Sequence, residues 1–426
     1  MMDIIKTYGS YIKKNMNDNP SRSWDLIRAG IAVNGIKSNI IPSKKYSKGN
    51  RRLDYLIMKM STDAFYNLDK YIWCNIFAPV EIFQCFDLKA LSIETFAGFL
   101  SGMHCEDSFI DYAQSEGISP TLCSYHKGFI GAVDSGIIPP PVLAVTTSFA
   151  CDGNLNTFRY LSQKKDIDYQ LLDIPYESDD EAIKYVVNQL EKLIKELEIR
   201  CNKKMDWDLL KEILKRENES KRYLKEFVEI QKDTYYPGTM TTHLFLSIAN
   251  HLYIGTEEVR DLFLFMKEDI KKYPKLKGKK IFWTHVIPFY QETLKSYFNF
   301  NEDLHIIATD ITLDYMEELD VDKPLEALAR KMVKNIFNGP FENKVNYIEK
   351  LVKELEPDAV INFCHWGCKQ SNGGSMLLKE SMSKLNVPIL ILDGDAMDRR
   401  NSHDGQIKTR FEAFLELINK EDEKSC

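Results

Sequence analysis

Three cysteines lie in motifs typical of the point where a strand or turn gives way to a helix. These are Cys123 in LCSYHKG, Cys151 in CDGN and Cys368 in HWGCKQ. A cysteine near a helix N-terminus has a lowered pKa and is readily held as a thiolate. Thiolates are the ligands that hold iron–sulfur clusters. Three thiolates converging on one cleft would hold such a cluster and leave one iron free for chemistry.

Other interpretations of the same residues stay open. A single cysteine in a protein interior is often only a small apolar side chain, as we expect for Cys74, Cys85 and Cys201. Cys364 and Cys368 could form half of a zinc site, although no second cysteine pair with matching spacing lies nearby.

Composition restricts the class of protein. At 426 residues the chain is long enough for two or three domains, and its 44% hydrophobic and 28% charged residues are typical of a globular protein. The net charge of −7 gives no electrostatic case for nucleic acid or a membrane surface. No apolar run approaches the roughly 18 residues of a membrane span, and the N-terminus lacks signal-peptide features. We therefore expect a cytoplasmic protein, in which clustered cysteines more often bind metals than form disulfides.

Apolar, β-branched runs of strand length recur along the chain, each followed by a helical pattern. Strands that are apolar on both faces are typical of parallel sheets covered by helices. The sequence therefore predicts an α/β protein with two open, mostly parallel sheets of the Rossmann or flavodoxin type. The predicted strands are Val142–Phe149, Tyr169–Ile174, Ile281–Ile287, His305–Thr309, Ala359–Phe363 and Pro388–Leu392.

The remaining segments are polar and helical in pattern. We expect a helical N-terminal segment over 1–65, a first α/β domain over 66–200, a helical connecting segment over 201–275 and a second α/β domain over 276–426. Long amphipathic helices are predicted from the capping sequence at Ser178 to about Arg200, and over 206–232 and 256–272.

Strand ends indicate where a ligand would bind. Open α/β sheets bind ligands beyond the carboxyl ends of their strands. Cys151 follows one predicted strand and Cys364 and Cys368 follow another, so we expect a cleft between the two halves. The chain has no phosphate-binding loop of the Gly-x-x-x-x-Gly-Lys-Ser/Thr type and no Gly-x-Gly-x-x-Gly after a strand.

A charged cluster follows the last predicted strand. Asp393 and Asp395 could cap a helix or accept hydrogen bonds, and Arg399 and Arg400 could bind a phosphate or carboxylate group. An ordered loop with internal ion pairs explains these residues equally well.

Four motifs together resemble the 2-hydroxyacyl-CoA dehydratases, a family related to benzoyl-CoA reductase, and the α-type subunits in particular. The resemblance covers most of the chain from about Tyr71. It is carried by Cys123-Ser124, the run from Ala150 to Phe158, the run from His365 to Gln370, and the tail from Asp393 to Phe414.

The resemblance implies a cofactor and partners. The cofactor is a [4Fe–4S] cluster held by Cys123, Cys151 and Cys368, with Cys364 as the alternative third ligand and one coordination position open. The partners are a β-type subunit that completes a heterodimer and a separate ATP-dependent iron–sulfur activator protein that delivers one electron. The absence of a phosphate-binding loop here agrees with a separate activator.

The resemblance also implies a reaction, the reversible syn-type elimination of water from an (R)-2-hydroxyacyl-CoA to give the 2-enoyl-CoA. One electron on the thioester carbonyl gives a ketyl radical, which expels the α-hydroxyl group and makes the β-hydrogen acidic. The electron then returns and is reused. Such chemistry belongs to anaerobic amino-acid fermentation.

Several residues are candidates for contacts with the substrate. The segment from Trp73 to Glu94, expected to be a loop, resembles a family stretch near the substrate, which makes Glu94 and then Glu81 candidate catalytic bases. A carboxyl with a raised pKa would suit proton transfer. The candidate substrate-binding residues are Asn75, His126, His365 and Arg399.

Two further functions remain possible at this point. The chain could be a double-cubane iron–sulfur reductase of the same superfamily that works as a homodimer. About six ligands would then come from Cys105, Cys123, Cys151, Cys364 and Cys368, with Cys74 or Cys85. It could also be a non-catalytic, zinc-stabilised scaffold subunit.

Overall fold

Two four-stranded parallel sheets organise the chain, whose computed structural model describes residues 4–40 and 43–425 and the side chains up to residue 419. The first sheet has the strand order β2-β1-β3-β4 and the second has the order β6-β5-β7-β8. The strands are β1 (Tyr71–Cys74), β2 (Lys89–Ser92), β3 (Ala144–Thr147), β4 (Tyr169–Leu172), β5 (Lys279–Thr284), β6 (Leu304–Thr309), β7 (Ala359–His365) and β8 (Ile389–Gly394). The predicted fold class is confirmed.

Helices surround both sheets. They are α1 (Ile4–Asp18), α2 (Pro20–Ile40), α3 (Lys48–Tyr66), α4 (Val80–Cys85), α5 (Ile93–Gly102), α6 (Glu106–Ser115), α7 (Ser124–Asp134), α8 (Asp152–Lys165), α9 (Asp180–Cys201), α10 (Trp207–Gln231), α11 (Met240–Leu252), α12 (Glu257–Ile270), α13 (Glu292–Phe298), α14 (Pro324–Val333), α15 (Phe341–Leu355), α16 (Lys369–Asn372), α17 (Ser375–Lys384) and α18 (Asp404–Ser425), with short 3₁₀ turns at Leu68–Lys70 and Arg399–Asn401. Within the described residues, no helix is long and apolar enough to cross a membrane.

The strands form where the sequence can be buried on both faces. All seven residues of β7 are buried, as are all four of β1 and β3. β1 and β2 were not predicted, and the expectation of a loop from Trp73 to Glu94 is wrong, because this segment forms β1, α4 and β2. The three long central helices are confirmed as α9, α10 and α12, and the side chains of Asp179, Asp206 and Thr256 cap their N-termini. The four-part division of the chain stays a prediction.

One glycine brings the loops of the two sheets into contact. Gly367 has a φ of +76°, and a Cβ atom there would lie 2.6 Å from the backbone nitrogen of Cys123 and 2.8 Å from the carbonyl oxygen of Thr121. Only glycine adopts this conformation at low cost and leaves room for the neighbouring backbone. The HWGC motif thus sets how closely the loop after β7 approaches Cys123.

We expect Gly367→Ala to lower the free energy of unfolding by about 1–3 kcal/mol, because the backbone strain and the clash with Cys123 are both introduced. Denaturant unfolding would measure the change. Gly405→Ala is the matched control, since a Cβ atom at Gly405 meets no atom within 4 Å. Equal stability of the two variants would contradict this role for Gly367.

Candidate functional site

A cavity of about 590 Å³ lies at the carboxyl ends of strands from both sheets. Six strands deliver lining residues at or just after their ends: Phe77 after β1, Glu94 after β2, Cys151 after β3, His285 after β5, Ile311 after β6, and His365 and Cys368 from β7 and its loop. Cys123 lines the same cavity from the start of α7. The structure thus brings Cys123, Cys151 and Cys368 to one cavity; the strand-end argument covered Cys151 and Cys368, whereas Cys123 reaches the cavity from the start of a helix.

Each cysteine stands immediately before a helix and faces one histidine. Cys123, Cys151 and Cys368 are the residues that precede α7, α8 and α16. The three sulfur-to-nitrogen pairs are Cys123 Sγ to His365 Nε2 at 3.1 Å, Cys151 Sγ to His126 Nε2 at 3.6 Å, and Cys368 Sγ to His285 Nε2 at 3.1 Å. All three imidazole rings therefore hold a polar nitrogen against a sulfur atom.

The direction of one of these contacts is fixed by the backbone. The backbone N–H of Ala396 donates a hydrogen bond of 3.0 Å to Nδ1 of His365. Because a backbone amide can only donate, Nδ1 carries no hydrogen, and the neutral ring carries its hydrogen on Nε2. His365 therefore donates to the sulfur of Cys123, as a metal-bound thiolate would require.

Two residues of the site have an unusual backbone conformation. Ala150, next to Cys151, has a φ of +68°, and His285 has a φ of +71°. The backbone N–H of His285 donates a 2.6 Å hydrogen bond to Asp310, which the buried Lys344 approaches at 3.0 Å. Left-handed conformations of residues other than glycine cost free energy and concentrate at functional sites.

The thiols differ from the expectation of lowered pKa values. Burial raises the pKa of Cys123, and the neighbouring sulfurs of Cys151 and Cys368 raise it further. Burial and the Cys368 sulfur raise the pKa of Cys151 to about 12. The prediction of lowered values from helix N-termini is wrong for these two, because desolvation and mutual repulsion outweigh the helix dipole. A bound cation would reverse this balance.

The three cavity thiols are the kind of donor that an iron–sulfur cluster uses. Among the described residues, no three His, Cys, Asp or Glu side chains are placed to share a single metal ion. The three thiols instead surround a common cavity, and each has its own imidazole partner. Soft thiolate ligands on separate metal atoms are the donor set of an iron–sulfur cluster.

Glu94 is the carboxyl group that faces this cavity. It lies in the first turn of α5, and one of its oxygens accepts a 3.1 Å hydrogen bond from the backbone N–H of Ile76. Burial raises its pKa to about 7. A carboxyl with such a pKa can both give and take a proton near neutral pH.

Four other predicted residues lie away from the cavity wall. Cys364 contacts the carbonyl oxygen of Ser371, and the buried Asn75 bridges β1 and β3 through Thr147. The side chain of Arg399 is paired with Glu106 at 2.6 Å. The side chain of Glu81 is paired with Lys331 at 2.6 Å. These side chains already have partners in the fold.

The charged cluster after β8 has internal ion pairs. Asp398 pairs with Arg400 at 2.9 Å, and Asp393 pairs with Arg410 at 2.9 Å. Asp395 accepts hydrogen bonds from the hydroxyl of Ser124 and from the backbone N–H groups of residues 397 and 398. The cluster thereby ties α7 to the loop after β8.

Sequence reasoning missed His285 and His243, which also line the cavity. His285 directly follows β5, so the rule that pointed to Cys151 could have pointed to it as well. His243 lies on α11, in a segment without a recognisable motif, and only the tertiary fold brings it to the cavity.

We expect the pH dependence of stability to reveal Glu94. Its folded-state pKa of about 7 lies above the value near 4.5 for an exposed glutamate, so the folded protein binds the extra proton between these values and stability falls as pH rises through this window. Wild type should lose about 3 kcal/mol of its free energy of unfolding across this window, and Glu94→Gln should not show this loss. Denaturant unfolding between pH 4 and 8 measures it, and Glu177→Gln at an exposed position is the control. Parallel profiles for wild type and Glu94→Gln would contradict the shift.

Comparison with known proteins agrees with the resemblance seen in the motifs. Residues 75–418 match the family described as 2-hydroxyglutaryl-CoA dehydratase, D-component. The (R)-phenyllactyl-CoA dehydratase alpha subunit of Clostridium sporogenes is 22% identical, over 82% of this chain and 90% of its own length. The lactoyl-CoA dehydratase subunit alpha of Anaerotignum propionicum is 21% identical over 81% and 90%. The (R)-2-hydroxyisocaproyl-CoA dehydratase alpha subunit of Clostridioides difficile is 23% identical over 81% and 89%. The chain belongs to the 2-hydroxyglutaryl-CoA dehydratase D-component family.

Proposed function

We propose that this chain is the iron–sulfur subunit of an (R)-2-hydroxyacyl-CoA dehydratase, a hydro-lyase that removes water to give a 2-enoyl-CoA. The observation that carries the proposal is that Cys123, Cys151 and Cys368, far apart in sequence, line one cavity. Family membership and the dehydratase subunits among its relatives support it.

The cofactor in this proposal is a [4Fe–4S] cluster held by the same three cysteines. When bound, such a cluster supplies one-electron chemistry and an iron atom that can accept a substrate oxygen. His365 would donate its Nε2 hydrogen to the Cys123 thiolate, and His126 and His285 occupy the corresponding places beside the other two cysteines. Hydrogen bonds to ligand sulfurs stabilise the thiolate and tune the reduction potential of a cluster.

The rest of the cavity would serve the substrate. Glu94 would take the proton that leaves the β-carbon or deliver one to the departing hydroxyl group, since its carboxyl faces the cavity and has a pKa of about 7. Phe77 and Phe337 line the same space and would exclude water from a reactive thioester. These residues come from both halves of the chain, so the site needs both sheets.

The working enzyme in this proposal includes other proteins. A β-type subunit is supported by the names of the dehydratase relatives, each of which is the alpha subunit of a larger enzyme. A separate ATP-dependent activator is supported by the absence of a phosphate-binding loop motif in this sequence.

The two other functions have less support. Of the eight cysteines in the described part of the chain, three line the cavity. The side chains of Cys85 and Cys105 contact backbone carbonyl oxygens elsewhere, so the six ligands of a double-cubane reductase are not assembled. A zinc-stabilised scaffold needs ligands that can share one ion, and the described residues provide no such group.

We expect about four iron and four sulfide per chain after anaerobic purification. Cys123→Ala, Cys151→Ala and Cys368→Ala should each lose most of this iron, whereas Cys364→Ala should keep it, because Cys364 does not line the cavity. Metal analysis and visible absorption measure the content. About eight irons would favour the double-cubane protein, and zinc without iron would refute the dehydratase proposal.

We expect Glu94→Gln to lower the rate of 2-enoyl-CoA formation by about 10²–10⁴-fold while the iron content stays unchanged, because general acid–base catalysis contributes on this scale. The assay uses the subunit with its partner and activator. Glu81→Gln is the comparison, since Glu81 is paired with Lys331 outside the cavity wall. Loss of activity in Glu81→Gln alone would transfer the role to that residue.

A further inference from the structure

The cavity is much larger than the space around the cysteines and is mainly apolar. Its walls extend from the strand ends past α5 and α11 to the N-terminal helices α1 and α2. Its apolar and aromatic lining residues include Phe77, Phe99, Leu244, Val286, Phe289 and Ile311. Such a lining, with a few polar groups at one end, is typical of a site for a largely apolar ligand.

The outer end of the cavity is the one at the N-terminal helices. Ile4 and Val33 line it there and are 82% and 63% exposed. Lys37, on α2 beside Val33, is the one lysine among the described lining residues, and no arginine is among them. The inner end, beside the cysteines, therefore has no lysine or arginine in its wall.

The lining histidines do not supply the positive charge that the inner end of the cavity lacks. His126, His285 and His365 each direct Nε2 at a cysteine sulfur. The fourth lining histidine, His243, lies on α11, and burial together with the neighbouring His305 lowers its pKa to about 3, so it is neutral. The remaining ionisable lining residue, apart from the cysteines and Tyr8 and Tyr125, is the acid Glu94, which supplies no positive charge.

A second carboxylate on the acyl group would meet no lysine or arginine at the inner end of this wall, where the other polar side chains, such as Asn154, Thr309 and Gln370, are uncharged. An isolated buried carboxylate costs several kcal/mol, whereas a hydrocarbon group gains from leaving water. We propose that the substrate of this enzyme carries an apolar acyl side chain, aliphatic or aromatic, and that 2-hydroxy dicarboxylic acyl groups are rejected. This inference rests on the proposed function and names the class of acyl group that the same site takes.

Two matched thioesters test the inference by binding. (R)-2-hydroxyglutaryl-CoA ends in a carboxylate, and (R)-2-hydroxy-5-methylhexanoyl-CoA carries an isopropyl group of similar shape in its place. We expect the hydrocarbon thioester to bind the anaerobically purified holoprotein at least tenfold more tightly in calorimetry, with coenzyme A alone as the reference. Equal or tighter binding of the glutaryl thioester would overturn the inference. If neither thioester bound more tightly than coenzyme A, the proposed function itself would fail.

Two variants locate the preference in the cavity wall. Ile311→Arg and Leu244→Arg each add a cation at a partly exposed lining position, and each should reduce the hydrocarbon preference at least tenfold. Leu417→Arg, on the exposed face of α18, is the control and should leave the preference unchanged. Thermal unfolding shows which variants are folded. If both cavity variants fold and still prefer the hydrocarbon thioester as strongly as wild type, the cavity wall does not determine this preference.

Discussion

The backbone of Gly367 against the backbone of Cys123 is the contact on which the site depends. It joins a loop of the second sheet to the helix start that carries the first cysteine, at a separation that a Cβ atom would not allow. The same need for close approach recurs at Gly153, where a Cβ atom would lie 2.8 Å from Nε2 of His126 and 3.0 Å from the sulfur of Cys151. Two glycines thus let the three cysteine loops surround one cavity.

The fold class was predictable because parallel strands that are buried on both faces appear in the sequence as short runs of apolar, β-branched residues. β7 and β8 both begin as mainly apolar runs, and the end of β7 leads directly into the HWGC loop. β1 and β2 are four residues each and are separated by a short helix, so neither the length nor the periodicity of the segment indicates a strand. β1 is buried between β2 and β3, and β3 begins only at Ala144, so this pairing cannot be recognised from the local sequence.

The site was predictable only where a residue follows a recognisable strand. Cys151 and Cys368 are of this kind. Glu94 follows β2, which was not predicted, and His285 follows β5, whose predicted end at Ile287 lies beyond it. Ion pairs between residues far apart in the chain could not be predicted from the sequence. Arg399 binds Glu106, almost three hundred residues away, and therefore belongs to the packing of α6 rather than to a ligand site. The helix-dipole argument failed for Cys123 and Cys151 for a related reason, since local sequence gives no measure of burial.

The two candidate bases, Glu81 and Glu94, both have buried carboxyl groups but have different partners. Glu81 and Glu217 share the ammonium group of Lys331 at 2.6 and 2.7 Å, and Lys221 approaches Glu217 at 2.9 Å. Burial raises the pKa of Glu81 to about 7 as well, but its carboxyl group is held by Lys331 in a cluster that joins α4, α10 and α14 and lies outside the cavity wall. Glu94, in contrast, has the backbone N–H of Ile76 as a partner and faces the cavity. No lysine or arginine in the described part of the chain pairs with Glu94. Of the two candidate bases, Glu94 and Glu81, Glu94 is therefore the one suited to exchange a proton with a ligand in the cavity.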